Sequence, residues 1–240
     1  MIQNAKAILE KYLGRSITVD PSIPKAILFR RVLALATGLV RGMLLTRRKL
    51  VLGPGARVGD LRKLHLDGGL IRLEEYSRIE CTSRDGVSLG RNFKLGAHSR
   101  IFASGTFTNL GVGVQIGDNV GIGEFSYIGG AGGVRIGSGT IAGQYFSVHP
   151  ENHLFSDPKL PIRDQGVSRK GIVVGESCWI GAKVTLLDGV VIGPNCVIGA
   201  GSVVTKSFPD NSVIGGVPAQ RLRDRRSRSQ NMDVVGGTEQ

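Results

Sequence analysis

The chain of 240 residues is poor in aromatic residues and cysteine, and it contains no long uninterrupted apolar run. Aromatic residues make up 5% of it and do not alternate with the basic ones, which argues against a nucleic-acid-binding surface. The three cysteines lack a CxxC spacing, as is typical of a reducing compartment. The first residues also lack the apolar segment of a signal peptide. The sequence therefore predicts a cytoplasmic protein that does not bind nucleic acid.

Acidic residues are missing from Pro21 to Gly59, where eight Lys and Arg residues occur. Within this stretch "KAILFRRVLALATGLVRGMLLTRRK" predicts a helix. Its apolar run is interrupted by Arg41 and is too short to span a bilayer, which needs roughly 20 apolar residues. One face carries Leu28, Val32, Leu35, Leu39 and Met43, and the opposite face carries Arg30, Arg41 and Arg48. Gly38 and Gly42 would each weaken an isolated helix by about 1 kcal/mol.

Two interpretations of this helix stay open. It packs on the rest of the protein or on a neighbouring subunit, or it lies in the plane of an anionic membrane surface. A shorter amphipathic helix is predicted over residues 1–14, ending at Gly14.

An aliphatic residue returns at every sixth position of the segment 171–206, namely at Val174, Ile180, Leu186, Ile192, Ile198 and Val204. Helices repeat near 3.6 residues and strands at 2, so a period of six indicates a solenoid. The same rhythm is recognisable from Leu89 onward, through Leu95, Ile101, Phe107, Ile116, Ile122, Ile128, Ile136, Ala142 and Val148. Three hexads would close a triangular coil of about eighteen residues, and stacked coils would form parallel sheets.

The other positions of the hexad fit a narrow prism. A smaller side chain precedes the aliphatic one by two positions, at Val114, Val120, Ser126, Cys178, Val184, Val190, Cys196 and Ser202. Cys178 and Cys196 are eighteen residues apart, so we expect them to be stacked, buried core residues. Glycine often follows the aliphatic residue, and we attribute it to a corner conformation that a Cβ resists. The period of six therefore predicts an all-β solenoid, a parallel β-helix.

The repeat is interrupted over residues 149–171, "HPENHLFSDPKLPIRDQGVSRKG". A loop of this length inside a compact domain is often functional, and it holds two of the four histidines. Imidazole is suited to remove a proton from an attacking hydroxyl group, and backbone N–H groups at glycine-rich corners can stabilise an oxyanion. A zinc site made by His98, His149 and His153 is an alternative, since catalytic zinc keeps three protein ligands.

The phrases "WIGAKVTLLDGVVIG", "VIGAGSVVTK" and "GGVPAQRLR" resemble the hexapeptide-repeat acyltransferases, most closely the O-acetyltransferases of bacterial surface-polysaccharide synthesis. The resemblance implies a left-handed β-helix over residues 51–220, with the long loop 149–171 protruding from it. A helical, basic segment of residues 1–50 would precede this domain, and a basic, partly disordered tail of residues 221–240 would follow it. Relatives are usually homotrimers with active sites between neighbouring prisms.

The resemblance also implies site residues, acetyl-CoA as co-substrate and no metal. His153 in "NHLFSD" is the expected general base, and His149 in "HP" is the runner-up. Asn152 would orient the base or contact the acceptor, Asp157 would be a charge partner, and Trp179 would line a ligand groove or a subunit contact. The expected acetyl-CoA contacts are Ala182, Ala200, Thr205, Lys206 and Arg223. Gln220 occupies a position that is basic in some relatives.

The expected function is acetyl-CoA-dependent O-acetylation of a sugar hydroxyl in surface-polysaccharide or lipid-linked glycan synthesis. N-acetylation of an amino sugar on the same fold is the alternative activity. A non-catalytic β-helical scaffold, held at the membrane by residues 25–49, is the alternative from another class.

Overall fold

The computed structural model describes residue 10, residues 20–106 and residues 108–227. A helix, α1 (Lys25–Thr46), precedes a series of short strands that wind into a three-sided prism. The helix expected over residues 1–14, the inward position Phe107 and the end of the basic tail lie outside the described residues, except for Glu10.

Each turn of the chain contributes one strand to each of three sheets, here called A, B and C. Sheet A contains β1 (Leu50–Leu52), β4 (Ile71–Leu73), β7 (Lys94–Leu95), β10 (Gly121–Ile122), β13 (Ile141–Ala142), β18 (Trp179–Ile180), β21 (Val197–Ile198), β23 (Ser212–Gly216) and β24 (Ala219–Asp224). Sheet B contains β2 (Arg57–Gly59), β5 (Arg78–Glu80), β8 (Arg100–Phe102), β11 (Tyr127–Gly129), β14 (Ser147–His149), β19 (Thr185–Leu187) and β22 (Val203–Val204). Sheet C contains β3 (Leu64–Leu66), β6 (Val87–Leu89), β9 (Val114–Ile116), β12 (Val134–Ile136), β17 (Ile172–Val174) and β20 (Val191–Ile192).

Outside the three sheets, β15 (Asn152–His153) and β16 (Val167–Ser168) form an antiparallel pair in the long loop. Short 3-10 helices occur at Leu61–Lys63 and Ile162–Asp164. The neighbours within the three sheets are parallel, apart from the terminal pair β23 and β24. The predicted parallel β-helix is thus confirmed.

The hexad pattern places the core as predicted. The aliphatic positions point into the prism and are buried, from Leu89 and Leu95 to Ile198 and Val204. The small positions two residues earlier are buried as well, including Ser126 and Ser202. Cys178 and Cys196 are 1% and 0% exposed, and burial raises the pKa of both thiols, that of Cys178 to about 11. They are core residues, as expected.

The reason given above for the glycine after each aliphatic residue is wrong. Gly117, Gly175 and Gly181 do not have a positive φ. Instead, a Cβ on them would lie 2.5–2.6 Å from atoms of the next coil: Ser138 for Gly117, Pro194 for Gly175 and Ala200 for Gly181. These glycines are required because stacked coils approach each other closely at the corners.

The residues in the left-handed backbone conformation, with positive φ, lie two positions after these glycines, and most of them are not glycine. At the corner between sheets C and A it is adopted by Asn92, Asn119, Asn195 and Asn211, in keeping with the tolerance of asparagine for this region. At the corner between sheets A and B it places the rings of Tyr76, His98, Phe125 and Tyr145 in a continuous stack with centroids 5.0–5.3 Å apart.

Helix α1 covers the open edge of the first strand of sheet A. Gly38, Gly42 and Thr46 are buried in this contact, and a Cβ on Gly42 would overlap the carbonyl group of Leu50. Arg41 donates a hydrogen bond to the carbonyl oxygen of Leu52. The glycines therefore allow the helix to cover an edge strand, and Arg41 supplies a partner for one of its carbonyl groups.

The face of α1 that the sequence singled out turns towards the prism only in part. Leu28, Val32, Leu35 and Leu39 are half-buried, whereas Met43 is exposed. The first interpretation of the helix, packing on the rest of the protein, holds for this face.

The last described strand closes the other end of the prism. β24 runs antiparallel to β23 and extends to Asp224, across the expected boundary between residues 220 and 221. Asp224 accepts hydrogen bonds from Arg221 and Arg226, each at 3.0 Å, and the bonds from Arg226 hold the pKa of its carboxyl group well below the usual range. Residues 221–224 are thus part of sheet A.

Candidate active site

Successive coils carry insertions at the same corner of the prism, between sheets B and C. They comprise residues 103–113, the "GGAGG" segment 129–133 and the long loop 149–171. Arg169 joins the first insertion to the third. Its guanidinium group donates to Glu151 at 2.6 Å and to the side chain of Asn109 at 2.8 Å, and its own side chain is only 15% exposed. The insertions form one connected surface, although the chain separates them by whole coils.

His149 lies at the end of β14, on the outer side of sheet B. Its Nε2 atom is 2.6 Å from the Oγ atom of Ser147, which projects from the same strand two residues earlier and therefore on the same side. The ring of Tyr127 on the adjacent strand stacks on the imidazole, with 5.6 Å between centroids. Partial desolvation lowers the pKa of His149, so the neutral, basic form predominates at neutral pH. The imidazole remains solvent-accessible.

A concavity of about 280 Å³ opens beside this histidine. Its walls include Phe102, Tyr127, His149, Glu151 and Arg169. Burial and the negative charge of Glu151 raise the pKa of the Tyr127 phenol, so its hydroxyl stays protonated and can donate a hydrogen bond. The concavity therefore combines a base, a hydroxyl donor and aromatic surface in one chain.

His153 lies on a different strand from His149. It lies on β15, exposed, where its backbone pairs with Val167. Asn152 is its neighbour and is also exposed. Asp157 uses its carboxylate to accept the backbone N–H of Lys159 at 2.8 Å, so the structure shows it stabilising its own turn of the loop. The roles expected for His153 and Asn152 stay predictions.

The residues expected to bind acetyl-CoA fall at separate places of one prism. Ala182 and Ala200 are stacked at the corner between sheets A and B, one coil apart. Thr205 and Lys206 follow β22, at the opposite edge of sheet B. Arg223 lies exposed on β24. A single chain therefore does not bring the expected donor residues together.

Lys206 is held by neighbouring groups near the end of the prism. Its Nζ atom donates to the side-chain oxygen of Gln220 at 2.6 Å and lies 5.8 Å from the ring centroid of Phe208. Gln220 occupies the position that is basic in some relatives. It therefore orients Lys206 instead of contributing a charge itself.

Trp179 is 58% exposed on the outer side of sheet A, in register with Ile141 and Val197. Sheet A is not the sheet that carries His149, so within one prism Trp179 and the histidine lie on different faces. The two alternatives given for it, a ligand groove and a subunit contact, both fit an exposed apolar strip.

The zinc alternative is not supported by the positions of the histidines. His98 belongs to the ring stack at the corner between sheets A and B, whereas His149 and His153 lie at the opposite edge of sheet B. Within the described parts of the chain, no group of three or more His, Cys, Asp or Glu residues is arranged to hold a metal ion.

Reasoning from the sequence missed Ser147, Tyr127, Glu151 and Arg169. A signal existed for Ser147, because alternation along a strand puts residues 147 and 149 on the same side. Tyr127 could have been found by aligning the coils, since it pairs with Ser147 in the sheet register. For Arg169 there was no periodic signal, because its contacts depend on how two insertions fold against each other.

Comparison with known proteins identifies the family. The chain is 34% identical over 155 residues to WbbJ of Escherichia coli, whose name describes a lipopolysaccharide biosynthesis O-acetyl transferase; the match covers 61% of this chain and 76% of that protein. Residues 171–206 match the family model for the bacterial transferase hexapeptide (six repeats). The chain belongs to the hexapeptide-repeat acetyltransferases. It is an enzyme, as predicted.

Another member of this family, an acetyltransferase by name from Staphylococcus aureus, is 36% identical over 157 residues, covering 63% of this chain and 69% of its own. Among solved structures, a mutant of the N-acyltransferase AntD from Bacillus cereus, in complex with dTDP and coenzyme A, superposes with a TM-score of 0.55 at 20% identity, over 68% of this chain and 84% of its own. The structural neighbours are of the left-handed β-helix type, which confirms the expected hand of this acetyltransferase.

Proposed function

We propose that this acetyltransferase transfers the acetyl group of acetyl-CoA to a hydroxyl group of a sugar, in surface-polysaccharide or lipid-linked glycan synthesis. The observation that carries the proposal is the accessible imidazole of His149, set in a concavity beside a serine and a tyrosine. The similarity to an O-acetyl transferase named for lipopolysaccharide biosynthesis supports a sugar hydroxyl as the acceptor.

The contacts support His149 as the general base. If Ser147 accepts the N–H of Nε2, the Nδ1 atom is left unprotonated and can take the proton of an attacking hydroxyl group. The lowered pKa of His149 keeps the ring neutral, as a base must be. His153, the first expectation from the sequence, is accessible as well, so both histidines are tested together below.

In the proposed reaction the acceptor oxygen attacks the thioester carbonyl carbon directly. The imidazole takes the hydroxyl proton, and the oxyanion accepts hydrogen bonds from backbone N–H groups at the glycine-rich corners. The carbon–sulfur bond then breaks, and the thiolate of coenzyme A takes the proton back from the imidazolium. A C–O bond has replaced the C–S bond, and the enzyme is unchanged.

The separation of the expected donor residues supports a homotrimer. Ala182 and Ala200 lie at one edge of sheet B, and Lys206 lies at the other together with the long loop. Prisms packed side by side would bring one edge next to the opposite edge of a neighbour. In this proposal residues 51–220 form the catalytic domain, residues 1–50 an N-terminal segment and residues 221–240 a basic tail that begins as part of sheet A.

Binding of the donor is tested by calorimetric titration of acetyl-CoA. Arg223→Ala removes an exposed cation next to the proposed adenosine end, and loss of one phosphate contact should weaken binding about tenfold. Arg57→Ala, an exposed arginine near the first coil, is the matched control and should bind like the wild type. Equal binding by all three proteins would refute the donor site at the C-terminal end.

The acceptor class is tested by following the release of coenzyme A thiol with a panel of sugars that present either hydroxyl or amino groups. Turnover with hydroxyl acceptors is expected. Turnover with amino sugars alone would replace the proposal by the N-acetylation alternative, and binding of acetyl-CoA without turnover on any acceptor would favour the scaffold.

A further inference from the structure

A second apolar face of α1 points away from the prism. Phe29, Leu33, Val40 and Leu44 are 62%, 51%, 58% and 77% exposed. At 100° per residue they form one continuous stripe, about 180° around the helix from the buried residues Gly42 and Thr46. The sequence pattern emphasised another face, which the structure shows half-buried against the body except at Met43. The second stripe has no partner among the residues that the structure describes.

The charges around this stripe are of one sign. Lys25, Arg30, Arg31, Arg48 and Lys49 are exposed along the helix and its C-terminal end. Arg41, by contrast, is tied to the carbonyl of Leu52 and is half-buried. No acidic residue occurs from Pro21 to Gly59, so no carboxylate of this segment neutralises the cations. A surface that combines exposed leucine and phenylalanine with exposed cations is complementary to anionic lipid headgroups above an acyl layer.

The dimensions of the helix fit a position in the membrane interface. Its 22 residues give a length of about 33 Å. None of the described helices is long and apolar enough to cross a membrane, and Gly38 and Gly42 in the C-terminal half of the helix pack against the first strand. The outward stripe can enter the acyl boundary, with Lys25 and Arg30 beside it at the headgroup level.

We propose that α1 docks the acetyltransferase on an anionic membrane surface through the stripe formed by Phe29, Leu33, Val40 and Leu44. The prism then stands with its first coil against the membrane, and the long loop lies several coils away from it. This inference is independent of the acceptor and of the catalytic base.

The test is sedimentation of the full-length protein with vesicles of phosphatidylcholine, with and without phosphatidylglycerol. Binding is expected only with the anionic lipid. It should weaken when salt rises from about 0.1 M to about 1 M, because the screening length falls from about 10 Å to about 3 Å. L33E/L44E should lower the partition coefficient at least about tenfold, because two apolar contacts are lost.

The matched control is L160E/L222E, which changes two exposed leucines elsewhere (51% and 66%) and alters the net charge equally. It should bind vesicles like the wild type. A second variant, R30Q/R31Q, keeps the stripe and removes two of the exposed cations, so it should reduce the salt-sensitive part of binding. Thermal unfolding and light scattering of every variant should match the wild type, since the substituted side chains are exposed.

Three results would overturn the proposal. Wild-type protein that does not sediment with anionic vesicles would exclude a membrane. Equal loss of binding by L33E/L44E and L160E/L222E would show that net charge alone matters. A smaller assembly or a lower unfolding temperature for L33E/L44E would show that a second copy, or residues 1–19 of the same chain, covers the stripe instead.

Discussion

Replacing His149 with alanine is the most direct test of the proposed chemistry. General bases typically contribute about 10²–10⁴ in rate, which corresponds to about 2.7–5.5 kcal/mol of transition-state stabilisation. We therefore expect His149→Ala to lower kcat/KM by about that factor and to leave the dissociation constant of acetyl-CoA nearly unchanged. His153→Ala, on the same loop, is the matched control and should cost no more than a few-fold.

Ser147 and the pH dependence refine this test. Ser147→Ala removes one hydrogen bond to the imidazole, worth about 0.5–1.5 kcal/mol, so kcat/KM should fall only about 2–13-fold. Desolvation lowers the pKa of His149, so wild-type kcat/KM should be flat at neutral pH and decline only below about pH 6.5, as the ring becomes protonated.

The assay is initial-rate release of coenzyme A thiol at saturating acetyl-CoA, across pH, with circular dichroism to verify folding of each variant. Wild-type kcat/KM in His149→Ala, together with a loss of 10² or more in His153→Ala, would refute the reasoning from contacts and restore the base expected from the sequence. Complete loss of activity in Ser147→Ala, with acetyl label retained on the wild-type enzyme, would replace direct transfer by a serine-bound intermediate.

The remaining predictions concern the helix, the insertions and the donor. Gly42→Ala should lower the free energy of unfolding by about 1–3 kcal/mol, because the new methyl group would overlap a carbonyl of the first strand. The control Gly121→Ala, where a Cβ meets nothing within 4 Å, should leave the unfolding temperature unchanged. Equal effects of the two substitutions would contradict the role given to Gly42. Arg169→Met should speed limited proteolysis in the long loop, because it frees Glu151 and the first insertion; an unchanged cleavage rate would mean that the other loop contacts suffice. Arg223→Ala should weaken acetyl-CoA binding as described above.

Much of the fold could be read from the sequence because the repeat is local. The pattern of each hexad identifies its inward-facing residues, so Val174 or Ile198 could be placed in the core without knowing which residues contact them in space. The role of the glycines could not be read in this way. Gly175 and Pro194 belong to different coils, and their close approach exists only after the coils are stacked.

The candidate site, like the fold, has a part that the sequence predicted and a part that only the structure shows. The interruption of the repeat identified residues 149–171 as the place to search, because a break in a strict period needs no structure to be seen. It could not show that His149 stacks on Tyr127, because that contact joins two strands that are distant in the chain. The salt bridge between Arg169 and Glu151 depends on how the long loop folds, and the bond from Arg169 to Asn109 depends on two insertions meeting.

The sequence by itself determined the solenoid, its core and the family, because these are properties of a short repeated unit and of motifs within it. Only the tertiary structure decided which side of α1 is free and which side chains meet at the corner between sheets B and C. A helix with apolar residues on two faces offers two equivalent ways to pack, and the choice was made by Gly38 and Gly42 fitting the edge of the first strand. Contacts between residues that are distant in the chain are set by the stacking of coils, and no local pattern encodes them.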